Sequence, residues 1–232
     1  MNSRMNRILL AILGLGALLT PQWALAQTIS SPYRFLEARQ EAGPFVGTMS
    51  PGTGRFGYGP APGIAVGGRY GVNLAGPFGL EGVVTYLPTE RTMIDPGRNE
   101  GDMDVGDMAS DVVMIDGRLR FSLTGDRAWH GISPFVLAGG GFAFDISGDN
   151  LDQETLLPDD QAEFGTSFVG ILGGGIRWFP GDRFVVRADG ILFIWQLKTP
   201  IGFSDPERGF VGVDEKEWVS GPSFSLGLGI RF

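Results

Sequence analysis

The chain has 232 residues, 18 of them basic and 26 acidic, with a net charge of −8, 38 glycines and no cysteine. The acidic balance argues against nucleic acid as a partner, and the missing cysteines exclude a disulfide framework and a lipidated amino-terminal cysteine. Glycine spread through the whole sequence favours closely packed strands and sharp turns over helices, within one domain.

In chain order, the first element is an export signal. Arg4 and Arg7 precede an apolar run from Ile8 to Leu19, Pro21 ends any helix, and Ala24-Leu25-Ala26 supplies the small-x-small pattern that a signal peptidase accepts after Ala26. The run of 12 residues falls short of the roughly 20 that a spanning helix needs. Later apolar segments are all broken by glycine, proline or charge, so a helical membrane protein is excluded. A signal holding two basic and no acidic residues leaves the exported chain, residues 27–232, at a net charge of −10. Residues 27–42, where Tyr33, Phe35, Leu36 and Ala38 mix with Arg34, Glu37, Arg39 and Gln40, read as a loose leader. A short periplasmic helix or an early start of the first strand are the alternatives.

Residues 43–232 are then a barrel domain. Alternating stretches predict strands over 43–49, 62–72, 78–88, 110–123, 132–145, 165–179, 183–197 and 218–232. The connections 73–77, 124–131 and 180–182 are the shorter ones; 50–61, 89–109, 146–164 and 198–217 are long. Short and long connections fall on opposite ends, as in an outer-membrane barrel with periplasmic turns and extracellular loops. A soluble sandwich would have turns of similar length and polar outward faces. Here one face is apolar throughout, for example Ile64, Val66, Tyr70 and Val72, or Val113, Ile115, Leu119 and Phe121. The last strand is the clearest case: Phe224, Leu226, Leu228, Ile230 and Phe232 alternate with Ser223, Ser225, Gly227, Gly229 and Arg231. The fold class is therefore all-β, an eight-stranded antiparallel up-and-down transmembrane barrel.

The other parity carries Arg69, Glu81, Asp116, Arg118, Arg120, Arg177, Arg187, Asp189 and Arg231, all expected to point into the lumen. Eight strands enclose an interior just wide enough for side chains to fill, so these charges must pair there. A plugged lumen is the expectation. In the seventh strand Ile191, Phe193 and Trp195 share the parity of Arg187 and Asp189, which implies either a bulge near Gly190 or an apolar pocket at the extracellular mouth.

With a signal, eight strands, alternating connections and a terminal Phe232, the sequence resembles the small outer-membrane barrels typified by the OmpA membrane domain and OmpX, and the wider group of outer-membrane β-barrel domain proteins. The glycine-rich pieces Leu137 to Phe142 and Leu172 to Ile176 fit that group. The resemblance implies that the terminal strand, and Phe232 in particular, is the signal read by the barrel-assembly machinery, and that the protein resides in the cell outer membrane. It implies no wall-anchoring role, because nothing follows the barrel that would bind peptidoglycan.

Catalytic and cofactor sites are not expected. Lipid A deacylases and palmitoyltransferases use this scaffold with a histidine, a serine and a carboxylate on the outer-leaflet side, but His130 lies in the connection placed in the periplasm, with only Asp126 and Ser133 nearby. Trp129 and His130 read instead as an interfacial anchor. Gly139 to Gly141 and Gly173 to Gly175 lack the lysine and helix of a phosphate loop and read as strand interiors. The long connections are acidic: Asp95, Glu100, Asp102, Asp104 and Asp107; Asp149, Asp152, Glu154, Asp159, Asp160 and Glu163; Asp205, Glu207, Asp214, Glu215 and Glu217. Asp102 to Asp107 lacks a full calcium loop, so the default is a solvated surface, and bridging of divalent cations to lipopolysaccharide phosphates is the functional alternative. The functional expectation is a non-enzymatic barrel for membrane structure or surface contact; the alternative is a narrow pore or lateral path for small apolar molecules.

Overall fold

The computed structural model describes residues 31–99, 101–147, 156–162 and 164–232, and the compact unit Pro32–Phe232 is the subject below. The expected export signal, with Ala24 and Ala26, lies outside the described residues, as do Glu100, Asp149, Asp152, Glu154 and Glu163.

The strands are β1 (Tyr33–Phe35), β2 (Gln40–Met49), β3 (Gly63–Asn73), β4 (Phe78–Leu87), β5 (Glu90–Ile94), β6 (Asp104–Ala109), β7 (Val112–Ser122), β8 (Arg127–Trp129), β9 (Ile132–Asp145), β10 (Thr166–Trp178), β11 (Phe184–Lys198) and β12 (Lys216–Arg231). Eight of them close into an antiparallel ring in the order β2-β3-β4-β7-β9-β10-β11-β12, sealed by β12 against β2 and β7 against β9. Closure removes the unpaired edges that an open sheet would present. Each expected strand is present, with ends shifted by three residues or fewer.

Two-residue periodicity explains why these segments form a barrel. Leu226 and Leu228 in β12 are 64% and 66% exposed, whereas the intervening parity ends in Arg231 at 6%. The same holds in β7, where Ile115 and Leu119 face out and Asp116, Arg118 and Arg120 are buried. An apolar outer face over an interior that carries charge inverts a soluble barrel and suits hydrocarbon surroundings. The short connections 74–77, 123–131 and 179–183 all fall at one end; the longer connections after β2, β4, β9 and β11 leave from and return to the other.

The structure decides one open alternative and departs from the sequence expectations at two places. β11 has no bulge near Gly190: pairing runs unbroken through Gly174↔Gly190 on one side and Gly190↔Phe224 on the other. The long connection after β4 contains a hairpin, β5 with β6, whose register shifts between Met93 and Ile94. In the leader, Tyr33–Phe35 pairs with Arg127–Trp129 of β8 instead of lying loose, and the first barrel strand starts at Gln40. β8 turns into β9 through His130 and Gly131, both with positive φ (48° and 80°), with Trp129 paired to Ile132. Two left-handed residues in a two-residue hairpin loop give the twist that adjoining strands require.

The leader crosses the short-turn mouth. Gln40 exchanges two backbone hydrogen bonds with Phe232 (3.0 and 3.1 Å), and the Asn73 N–H donates to the Arg39 carbonyl. Farther along, Leu36 packs on Ala128, Phe179 and Val185, and the Arg34 guanidinium donates to the Phe179 and Gly181 carbonyls. β2 and β9 stand opposite in the ring, so residues 32–39 form a strap from one side to the other. Placing an ammonium on the lipid face at mid-strand, Leu226→Lys, is expected to cost about 2–4 kcal/mol. Urea titration of the barrel folded into phospholipid bilayers measures the difference.

Candidate functional site: the filled lumen

Inward positions sort into two tiers. Near the short-turn end they hold arginines and carboxylates; near the long-loop end they are apolar. The largest part of the charged tier is one connected set. Arg187 of β11 donates to both oxygens of Glu81 on β4 (2.7 and 2.9 Å) and to Asp189 (2.8 Å). Arg120 adds a second guanidinium to Glu81 at 2.5 Å, and Arg69 a second to Asp189 at 2.6 Å. β4 and β11 are opposite in the ring, so Glu81 and Arg187 join the barrel across its diameter. Asp116 pairs with Arg118 two residues along β7. Arg177 lies 3.5 Å from Glu41 and donates to Ser122 and Ser133, while Arg231 donates to the Asp182 carbonyl at the mouth.

All nine expected lumen residues thus face inward, and eight of them enter ion pairs with one another or with Glu41. Glu41 and Asn73, which accepts from Arg120, are the members that the sequence reading missed. The signal for Glu41 was present, because it continues the inward parity of Phe45, Gly47 and Met49 two residues back from position 43.

Aromatic rings and glycines fit the guanidinium groups into this space. Arg69 stacks over Phe45 at 4.6 Å, Arg187 over Phe135 at 4.4 Å, and Arg231 over Phe179 at 4.6 Å. A methyl group on Gly79 would sit 2.7 Å from the Arg120 guanidinium, and one on Gly175 would sit 2.8 Å from the Phe135 ring. Glycine at Gly79 therefore leaves room for the Arg120 guanidinium, and at Gly175 for the Ala188 carbonyl of the neighbouring strand as well as the Phe135 ring. Gly139, Gly141, Gly173 and Gly175 are inward strand positions, and Gly140 and Gly174 lie between them.

The apolar tier is also filled. Ile191, Phe193 and Trp195 point inward and pack with Val112, Met114, Leu137, Val169 and Ile171. Phe164 from the loop before β10 meets Trp195 edge-on at 5.4 Å, and Tyr58 from the loop after β2 closes the same cluster. Burial pushes the Tyr58 phenol pKa up, against the lowering effect of its hydrogen bond to Thr199. Above it, Phe56 stacks on Phe203 at 4.3 Å and meets Phe210 edge-on.

His130 occupies a tight turn with Trp129 edge-on at 4.9 Å. Ser133 faces the lumen, where it bonds Arg177 and Thr124. In the long loops, Asp160 accepts from Arg208 and raises its pKa, Asp95 pairs with Arg98, and Glu217 accepts from the Arg55 backbone N–H. Among the described residues no three acidic or histidine side chains gather closely enough to hold a metal ion.

No protein-family model matches the sequence, and no curated protein matches it. Solved structures do match in fold. OprG, an outer-membrane protein from Pseudomonas aeruginosa, is similar with a TM-score of 0.52 and 12% identity, over 84% of this chain and 96% of that one. Neisserial surface protein A is similar with a TM-score of 0.50 and 10% identity, over 87% and 98% respectively. The fold is that of the small eight-stranded outer-membrane barrels.

Removing the shared carboxylate, Glu81→Gln, leaves two buried guanidinium groups short of an anion and is expected to destabilise the barrel by about 3–5 kcal/mol. Denaturant unfolding in detergent micelles, followed by tryptophan fluorescence, checks this.

Proposed function

We propose that this protein is a non-enzymatic barrel of the outer membrane that contributes to membrane structure or surface contact, with its short turns in the periplasm and its acidic loops outside. The filled lumen carries this reading. A continuous water path needs an unfilled core, and here Glu81 and Arg187 span one tier while Trp195, Phe193 and Phe164 occupy the other. The apolar outward face and the fold shared with OprG and Neisserial surface protein A support the location.

Phe232 closes the β12–β2 seam through its backbone bonds to Gln40, which suits a terminal strand that the assembly machinery would deliver last to the ring. The loops would meet lipopolysaccharide; of their described carboxylates, Asp95, Asp160 and Asp205 are held in internal pairs with Arg98 and Arg208. Transport of small apolar molecules is the second reading. The apolar tier favours it, and it would require Phe164 and Tyr58 to move away from Trp195 and its neighbours.

Unboiled protein is expected to migrate differently from boiled protein on a denaturing gel, and planar-bilayer recordings are expected to show no steady conductance. Stable single-channel steps from the purified protein would replace the structural reading with a pore.

A further inference from the structure

At the short-turn end, beside the strap, a cleft of about 540 Å3 reaches down to Arg177. This arginine is 2% exposed, its Nε has no hydrogen-bond partner, and the Glu41 oxygen nearest to it also makes no hydrogen bond. Arg120 lies in the same layer, held to Asn73, which also lines the cleft. Its carboxylate, Glu81, is already bonded twice by Arg187. The floor therefore holds more guanidinium than carboxylate, the balance that an added oxyanion corrects. The edge of a guanidinium can donate two parallel N–H bonds to a phosphate, a geometry that a point charge lacks.

The rim has a different character. Glu37 on the strap and Asp126 on the opposing turn are exposed carboxylates, with Arg39 beside them and Arg127 3.9 Å from Asp126. An anion alone would face those two carboxylates on entry. A ligand with an anionic inner end and a cationic outer end meets favourable charge at both. The side wall supplies the third constraint, because Leu74 and Phe78 are 55% and 44% exposed and Phe78 continues the outward apolar row through Leu80. Aliphatic chains can follow that row while a headgroup turns into the cleft.

We infer that the cleft seats the zwitterionic headgroup of a phospholipid from the leaflet at the short-turn end, with its phosphate on Arg177, its ammonium toward Glu37 and Asp126, and its acyl chains along Phe78 and Leu80. The site rests on the reading of the barrel as membrane-spanning. It makes the strap part of a lipid-binding site, since Glu37 and the walls Phe35 and Leu36 belong to residues 32–39.

The test uses the full chain extracted in detergent and offered equimolar phosphatidylethanolamine and phosphatidylglycerol, with retention read by native mass spectrometry. One phosphatidylethanolamine is expected to be retained about tenfold over phosphatidylglycerol. The double variant Glu37→Gln with Asp126→Asn, both exposed, is expected to bring that ratio near one, and Arg177→Lys to lower retention of both lipids. Equal retention by the unmodified protein, or a preference that survives the rim variant, overturns the site. Displacement of the lipid by equimolar free phosphoethanolamine also overturns it, because the occupant is then a soluble zwitterion. Heat-modifiable migration of the same samples separates failure of the barrel reading from failure of the site.

Discussion

Everything in this fold depends on filling the narrow interior of an eight-strand ring. Such a ring leaves room for side chains and little else, so each inward position must find a partner across the lumen or yield space to one. Glu81 and Arg187 meet that demand directly, because they sit on opposite strands and form a two-pronged bond at the centre. Burying charge costs several kcal/mol per ion, and the cost is offset only where geometry and additional hydrogen bonds are good. Here the set extends through Asp189 and Arg120 to Arg69 and Asn73, so most of its oxygens and guanidinium groups have partners.

The same constraint explains composition. Six long arginines could not fit beside one another if every inward residue had a side chain. Glycines such as Gly79 and Gly175 stand where the Arg120 guanidinium and the Phe135 ring need the volume. The rings of Phe45, Phe135 and Phe179 then cover guanidinium faces that would otherwise be buried without contact. The charged tier gives way to the apolar tier around Phe135, and from there to the loops ordinary hydrophobic packing fills the space.

The two mouths differ in how they are closed. At the long-loop end, residues distant in sequence, Phe56, Tyr58, Phe164 and Phe203, gather over the barrel, and acidic residues of the same loops pair with Arg98 and Arg208. At the short-turn end a single extended strap spans the opening and leaves a cleft beside it. One mouth is a packed cap, and the other keeps a pocket with Arg177 at its floor and Glu37, Asp126 and Arg39 at its rim.

Strand count, strand parity and the sorting of charges to one face were legible in the sequence, because a strand places alternate residues on opposite faces wherever it pairs. That local rule sufficed to assign all nine lumen charges and the terminal lipid-facing strand. It left β11 open between a bulge near Gly190 and an apolar pocket, because Ile191, Phe193 and Trp195 share the face of Arg187 and Asp189. The strand is regular, and it is the lumen that changes from polar to apolar along its length. It also could not anticipate the strap, since three paired residues, Tyr33–Phe35, carry too little periodicity to be told from a loose leader. The sequence by itself determined which side of each strand faces inward. Only the tertiary structure decided which charges meet, that Glu41 and Asn73 join them, and that both tiers are filled, because those outcomes depend on which strands stand opposite once the ring has closed.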